Sequence, residues 1–352
     1  MPDTGLPPSA LADAATAQTV AIDGPINILV IEGLTMPEAT PQFLAEIAAA
    51  APAGSTINVV GNVKEAFAHA AEVEVILGIL SKSLFAQTPK LRWVHAIASG
   101  VDMFMFDDFI NSPVVLTGEK GLVGGHLADT GFGLLLALTR QIHTAIKLGP
   151  DGWASREAMR AKEIELEGMT MGVLGFGGTG RAMAKRAVAF GMHTIAVDEF
   201  PAPVSSLTSD LGVAEVWTMD RLDDLLAQSD VVAICCPLTD DTNQMFDHDL
   251  FAKMKTGSYL VNVTRGEIMH DEALVAALES GKLAGAALDV APGEPLGADH
   301  ALFHLDNVAM TPHTAGASQL RAPKNVARFC DNLGRAKRGE DFAGVVNKQL
   351  GF

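Results

Sequence analysis

Three polar residues in the second half of the chain, Arg265, Glu294 and His313, have the side-chain types that reduction of a carbonyl acid requires. A guanidinium forks onto a carboxylate through two parallel hydrogen bonds. An imidazole supplies a proton near neutral pH, and an adjacent carboxylate holds that imidazole charged. Each residue also has a plain structural reading: Arg265-Gly266 as a turn with a solvated charge, Glu294-Pro295 as a loop, and His313 as a satisfied loop histidine. A second constellation, Gly175-Phe176-Gly177-Gly178-Thr179-Gly180, matches G-x-G-x-x-G. In a chain with 34 glycines the string alone is weak, but Met171–Leu174 feeds it as an apolar run and Arg181–Phe190 continues it as a helix. In that context Gly175 permits a tight turn, Gly177 leaves bare backbone for a pyrophosphate, and Gly180 lets helix and strand pack closely. The helix N-terminus offers N–H groups and the positive end of its dipole to the phosphates. Asp198 lies eighteen residues after Gly180 (198 − 180) and ends the next apolar run, where a carboxylate accepts the ribose hydroxyls. With Glu199 beside it and no Arg between it and Arg221, a 2′-phosphate would be repelled, so NAD is expected over NADP. The competing reading of Asp198 is an exposed loop carboxylate.

The elements that must position these residues alternate. Strand patterns at Ile26–Glu32, Thr56–Val60, Val73–Leu77, Trp93–Ala96 and Val114–Leu116 are separated by helical patterns at Pro41–Ala51, Val63–Ala70 and Ser83–Gln87. A long apolar helix is expected over Gly125–Gly149. A second series follows, with strands at Thr170–Leu174, His193–Asp198, Val231–Cys235, Tyr259–Val263, Ala284–Leu288 and Val308–Met310. Such alternation means βαβ units and two doubly wound, mostly parallel sheets. Arg265, Glu294 and His313 each follow a strand of the second series, where open α/β sheets bind ligands. A final helical segment, Ser318–Gly339, is amphipathic and late in the chain. Its basic run, Arg321, Lys324, Arg328, Arg335, Lys337 and Arg338, reads as a solvated helix face.

Bulk properties exclude several classes. A formal net charge of −17 repels nucleic acid and anionic membrane. Three cysteines, Cys235, Cys236 and Cys330, provide neither a disulfide framework nor metal-ligand spacing, so a reducing cytoplasm is expected. His126, His143, His193 and His270 are scattered, and no metal is expected. No apolar run approaches the roughly 20 residues that span a bilayer. Residues 1–24 read as a flexible or loosely docked tail without the features of a signal peptide.

Over roughly residues 85–335 the chain resembles the D-isomer-specific 2-hydroxyacid dehydrogenase family. The resemblance rests on Glu167–Gly180, Leu222–Val232, Cys236-Pro237-Leu238-Thr239, Val263-Thr264-Arg265-Gly266, Ala287–Val290 with Glu294-Pro295, and Thr311-Pro312-His313-Thr314-Ala315-Gly316. The intervals of 29 residues from Arg265 to Glu294 and 19 from Glu294 to His313 (294 − 265, 313 − 294) are typical of the family. The resemblance implies that Arg265 binds a 2-oxo acid and polarises its carbonyl, that His313 is the acid/base, and that Glu294 raises its pKa. It implies that Asp289 contacts the nicotinamide amide together with main chain around Val263 and Thr264, and that His313 also lies against the cofactor. Cys236, Pro237 and Thr239 would border the nicotinamide side, and backbone amides near Ser99 and Gly100 would hold the substrate carboxylate.

It further implies a Rossmann cofactor domain, 121–316, inserted into a flavodoxin-like substrate domain, 25–120 with 317–352. The cleft between them would close by hinge motion near Gly118–Gly121 and Ala315–Ala317, and the chain would form a homodimer through its cofactor domains. Two departures are notable. Ala128-Asp129 replaces the usual Ala-Glu, and Glu294 stands where the formate-oxidising branch carries Gln, which disfavours formate. Met103-Phe104-Met105-Phe106 reads as core, or as a lining for a larger apolar 2-oxo acid. The expected activity is reversible reduction of a 2-oxo acid by NADH to the D product. The alternatives are a glyoxylate or hydroxypyruvate reductase and a non-catalytic NAD-sensing scaffold.

Overall fold

The computed structural model describes residues 19–98, 100–201, 211–213 and 215–352. The chain divides into two compact units, one made of the residues up to Val123 together with Ala317–Phe352, the other of Gly124–Gly316.

In the first unit, strands β1 (Asn27–Ile31), β2 (Thr56–Val60), β3 (Val75–Gly78), β4 (Trp93–Ala96) and β5 (Val115–Thr117) form one sheet in the order β2-β1-β3-β4-β5. Every neighbouring pair is parallel. This is the flavodoxin-like winding, in which the strand order reverses once. β3 and β4 are buried at every position, as strands covered on both faces must be. One face carries Ile28, Val30, Val75, Leu77 and Trp93, and against it pack Val326, Phe329, Leu333 and Ala336 of the helix Arg321–Arg338. Trp93 stacks on Phe329 with ring centroids 4.8 Å apart. The late amphipathic helix therefore belongs to the first sheet, because its apolar stripe completes that face. The opposite face is filled by Leu29, Ile31, Ile76, Val94 and Leu116 with Leu84, Phe104 and Phe109.

Two stretches read from the sequence with alternatives are placed in this unit. Residues 1–18 lie outside the described residues, and 19–24 are docked. Ile22 is buried and donates its N–H to the Ala336 carbonyl at 3.3 Å, and the Thr19 hydroxyl donates to the Glu340 carbonyl at 2.9 Å. In the Met103–Phe106 stretch, Phe104 is fully buried, and Met105 and Phe106 pack against the same core. Only Met103, 54% exposed, is left on the surface.

The second unit holds seven parallel strands: β6 (Thr170–Leu174), β7 (His193–Val197), β8 (Val216–Trp217), β9 (Val231–Ile234), β10 (Ser258–Asn262), β11 (Leu283–Leu288) and β12 (Val308–Met310). Their order is β12-β11-β10-β9-β6-β7-β8, the Rossmann winding extended by one strand. β9 and β10 are buried throughout. The order reverses at β6, so the loop after β6 opens at the switch point where such sheets take ligands.

β8, two residues on the sheet edge, has too little pattern to read from sequence. The long helix expected over Gly125–Gly149 is broken into Gly124–Thr139 and Ile142–Leu148. The Thr139 carbonyl accepts the Ile164 N–H at 2.8 Å instead of continuing the helical ladder, and Gln141 turns to φ +54°. A contact 25 residues downstream (164 − 139) thus ends the helix, and no local propensity reports it.

Candidate active site

The phosphate loop follows from backbone sterics. Gly175 sits at φ +88°, a region closed to most side chains, and a Cβ there would lie 2.5 Å from the Cys236 nitrogen. A Cβ on Gly180 would meet the Gly175 carbonyl oxygen at 2.1 Å, so helix and turn touch backbone to backbone. Gly177 is different: a Cβ there would meet nothing within 4 Å. The space beside it is open, and no side chain caps the helix Gly178–Ala189 that begins at the next residue. Thr179 and Gly180 form the first turn of that helix. The exposed N–H groups and dipole end fit a pyrophosphate.

Asp198 is half-buried, not a stray loop carboxylate. One oxygen accepts the Phe176 N–H at 2.5 Å and the other the Phe200 N–H at 2.9 Å. The residue expected to read the ribose therefore also braces the phosphate loop. Cys236 is buried, and burial pushes its thiol up to about 12, so it presents backbone rather than thiolate. Beyond it, the Thr242 hydroxyl donates to the Pro237 carbonyl at 2.8 Å and the Thr239 N–H donates to the Thr242 hydroxyl at 2.8 Å, which closes the loop that carries Pro237 and Thr239.

Arg265, Glu294 and His313 leave the C-terminal ends of β10, β11 and β12, three strands that are neighbours in the sheet. His313 Nδ1 lies 2.8 Å from Glu294 Oε2. The other Glu294 oxygen accepts the Ala291 N–H at 2.7 Å, which aims the carboxylate at the ring. With Nδ1 occupied, Nε2 is the nitrogen left for proton transfer. His313 stands at φ +54°, a conformation that costs free energy and persists only where neighbours impose it. Asp289 imposes it. Its carboxylate, almost fully buried, accepts the Thr311 hydroxyl at 2.6 Å and the Thr314 and Ala315 N–H groups, each at 2.9 Å. Its carbonyl accepts the His313 N–H at 2.8 Å.

Asn262, which the sequence did not mark, does the same for Arg265. Fully buried at the end of β10, it donates to the Arg265 carbonyl at 2.9 Å and accepts both the N–H and hydroxyl of Thr264, at 3.0 and 3.1 Å. The signal was an Asn at a strand end three residues before the Arg, a position where its amide turns the chain. Gly266 lets the Arg265 loop lie against the Glu294 loop, since a Cβ there would fall 1.9 Å from the Ala291 carbonyl oxygen. Val263 and Thr264 fill the turn between Asn262 and Arg265. Of the two residues expected near a substrate carboxylate, Ser99 lies outside the described residues. Gly100 follows β4 in the first unit.

Residues 132–315 match the family model described as D-isomer specific 2-hydroxyacid dehydrogenase, NAD binding domain. The chain belongs to the D-isomer-specific 2-hydroxyacid dehydrogenase family. A glyoxylate reductase of Korarchaeum cryptofilum is 32% identical over 280 residues, which cover 79% of this chain and 82% of that one. A glyoxylate/hydroxypyruvate reductase B of Escherichia coli is 30% identical over 294 residues, 80% and 86% of the two chains. The crystal structure of a D-isomer specific 2-hydroxyacid dehydrogenase family protein from Aeromonas salmonicida superposes with a TM-score of 0.72 at 26% identity, covering 92% of this chain and 99% of that one.

The protein is accordingly an oxidoreductase of the D-isomer-specific 2-hydroxyacid dehydrogenase family, and its second unit is the NAD-binding domain. The open space beside Gly177, the uncapped helix and the placement of Asp198 all suit that dinucleotide. No helix among the described residues is long and apolar enough to cross a membrane.

Proposed function

We propose that the protein reduces a 2-oxo acid to the D-2-hydroxy acid, with His313 as acid/base. The observation that carries this reading is the 2.8 Å His313–Glu294 pair standing beside the Arg265 loop on adjacent strands. Arg265 would fork onto the substrate carboxylate and polarise the neighbouring carbonyl. His313 Nε2 would give its proton to the carbonyl oxygen, and Glu294 would stabilise the imidazolium that precedes this step. When bound, the nicotinamide supplies the hydride to the carbonyl carbon. Backbone amides near Ser99 and Gly100 would hold the substrate carboxylate, and the first unit would be the substrate domain. In the second unit, Val263, Thr264, Asp289, Cys236, Pro237 and Thr239 would lie along the nicotinamide half of the cofactor.

A panel of 2-oxo acids, followed by the loss of NADH absorbance, tests this. The expected result is turnover with at least one acid and a preference for NADH over NADPH, since Asp198 and Glu199 oppose a 2′-phosphate. NADH binding without turnover of any member would reject the catalytic reading. Among substrates, glyoxylate and hydroxypyruvate are the second reading, favoured by the names of the two relatives above.

A homodimer through the second unit is part of the same proposal. Ile142, Ile146 and Trp153 are 47%, 75% and 84% exposed, a run of apolar side chains that a second copy would cover. Sedimentation equilibrium is expected to give twice the chain mass, with Trp153→Glu shifting it to the monomer. A wild-type monomer at micromolar concentration contradicts the proposal.

A further inference from the structure

One buried cluster in the first unit plays no part in the chemistry above. Glu119, two residues past β5, has a side chain with no exposure at all. It accepts Arg321 Nε at 2.9 and 3.1 Å and Arg321 Nη2 at 2.6 Å, and it also accepts Asn325 Nδ2. Arg321, expected on a solvated face, is only 13% exposed. The cluster continues into the sheet. The Asn325 side chain faces His95, the penultimate residue of β4, which is wholly buried. His95 Nδ1 lies 2.8 Å from the Thr117 hydroxyl, and that hydroxyl accepts Trp93 Nε1–H at 2.8 Å. Burial, aided by the nearby Arg328 charge, pushes His95 down to about 3, so the ring stays neutral.

A buried ion pair is a poor source of stability, because removing two charges from water costs about as much as their attraction returns. What such a pair does supply is a fixed arrangement of the segments that hold it. Here those segments are the end of β5, the first turns of the helix Arg321–Arg338 and, through Asn325 and His95, the end of β4. The contact passes directly to the loop that follows β4. A Cβ on Gly118 would lie 3.7 Å from the carbonyl oxygens of Ala96 and Ala98, so the segment before Glu119 lies against the start of that loop. The loop then turns through hydrogen bonds from the Phe104 and Met105 N–H groups to the Val101 and Asp102 carbonyls.

We infer that Glu119, Arg321, Asn325 and His95 are positioning residues that hold the loop around Gly100 in its substrate-binding form without touching substrate. The inference rests on the reading above in which that loop holds the substrate carboxylate. It predicts an effect on substrate affinity rather than on cofactor binding or the chemical step.

The test is the apolar exchange Glu119→Met/Arg321→Met, which removes both charges together and leaves neither orphaned. Arg321→Lys serves as a second variant that keeps the charge and loses the fork. In the exchanged protein, KM for the best 2-oxo acid is expected to rise tenfold or more. The NADH dissociation constant should stay within twofold, and kcat at saturation within threefold. Amide hydrogen exchange at residues 100–105 should speed up at least tenfold, and Arg321→Lys should fall between wild type and the exchange. Unchanged amide exchange overturns the inference whatever the kinetics show. Equal losses in NADH binding and kcat also overturn it, because they mark general disruption. Faster exchange with unchanged KM overturns it too, and it locates the error in the assignment of the loop to the substrate carboxylate.

Discussion

Replacing His313 with Gln is expected to lower kcat by about 10²–10⁴-fold, the usual contribution of a positioned proton donor. Gln keeps polar atoms near the place of the ring but cannot exchange a proton at neutral pH. NADH affinity should stay within about twofold, since the phosphate loop and Asp198 lie on other strands. One structural alternative must be separated from chemistry. His313 occupies a positive φ of 54°, and an ill-tolerated residue there would displace the turn. Asn tolerates that conformation well and also transfers no proton. His313→Asn should therefore be as slow as His313→Gln, and stopped-flow measurement of a single turnover should place the loss in the chemical step. Near-wild-type kcat in the Asn variant would remove His313 from the role of acid/base and leave only a conformational requirement.

The second large effect is expected at Gly266. An added methyl would lie 1.9 Å from the Ala291 oxygen and 2.1 Å from its carbonyl carbon, both backbone atoms without a rotamer to move. The Arg265 loop and the Glu294 loop must then part by roughly an ångström or more, and a shift of ~1 Å at a reacting centre costs about 10²-fold in rate. Gly266→Ala should lower kcat/KM by that order. Forced overpacking of this kind costs about 1–3 kcal/mol, and each kcal/mol lowers Tm by about 2–4 °C in a domain of this size. Calorimetry beside steady-state kinetics reads both. A variant that keeps wild-type kcat/KM and Tm would show that the two loops are not held by this contact.

Much of the site was legible because its chemistry is carried by short local strings. The turn of Gly175–Gly180 requires glycines at set positions, so its sequence and its shape imply each other. Asp198 could be placed because strand length fixes where the next C-terminal end falls. Asn262 and Asp289 were less legible as positioning residues, since an Asn or Asp at a strand end satisfies many turns, and only the distances to Thr264, Arg265, Thr311 and Thr314 show which one. The helix break at Gln141 and the docking of Ile22 depend on partners far along the chain, Ile164 and Ala336. Local pattern carries no record of either.

Arg321 shows the limit most clearly. Within the amphipathic helix Arg321–Arg338 it has the same sequence character as its exposed basic neighbours, and its partner Glu119 lies 202 residues away. The sequence by itself determined the doubly wound class, the dinucleotide turn and the three residue types able to reduce a carbonyl, because periodicity and short-range sterics encode these. Only the tertiary structure decided that β10, β11 and β12 stand side by side, that a late helix completes the first sheet, and that one of its arginines pairs with a buried carboxylate. Strand order and burial are set by packing between distant segments, and charge or spacing along the chain does not specify them.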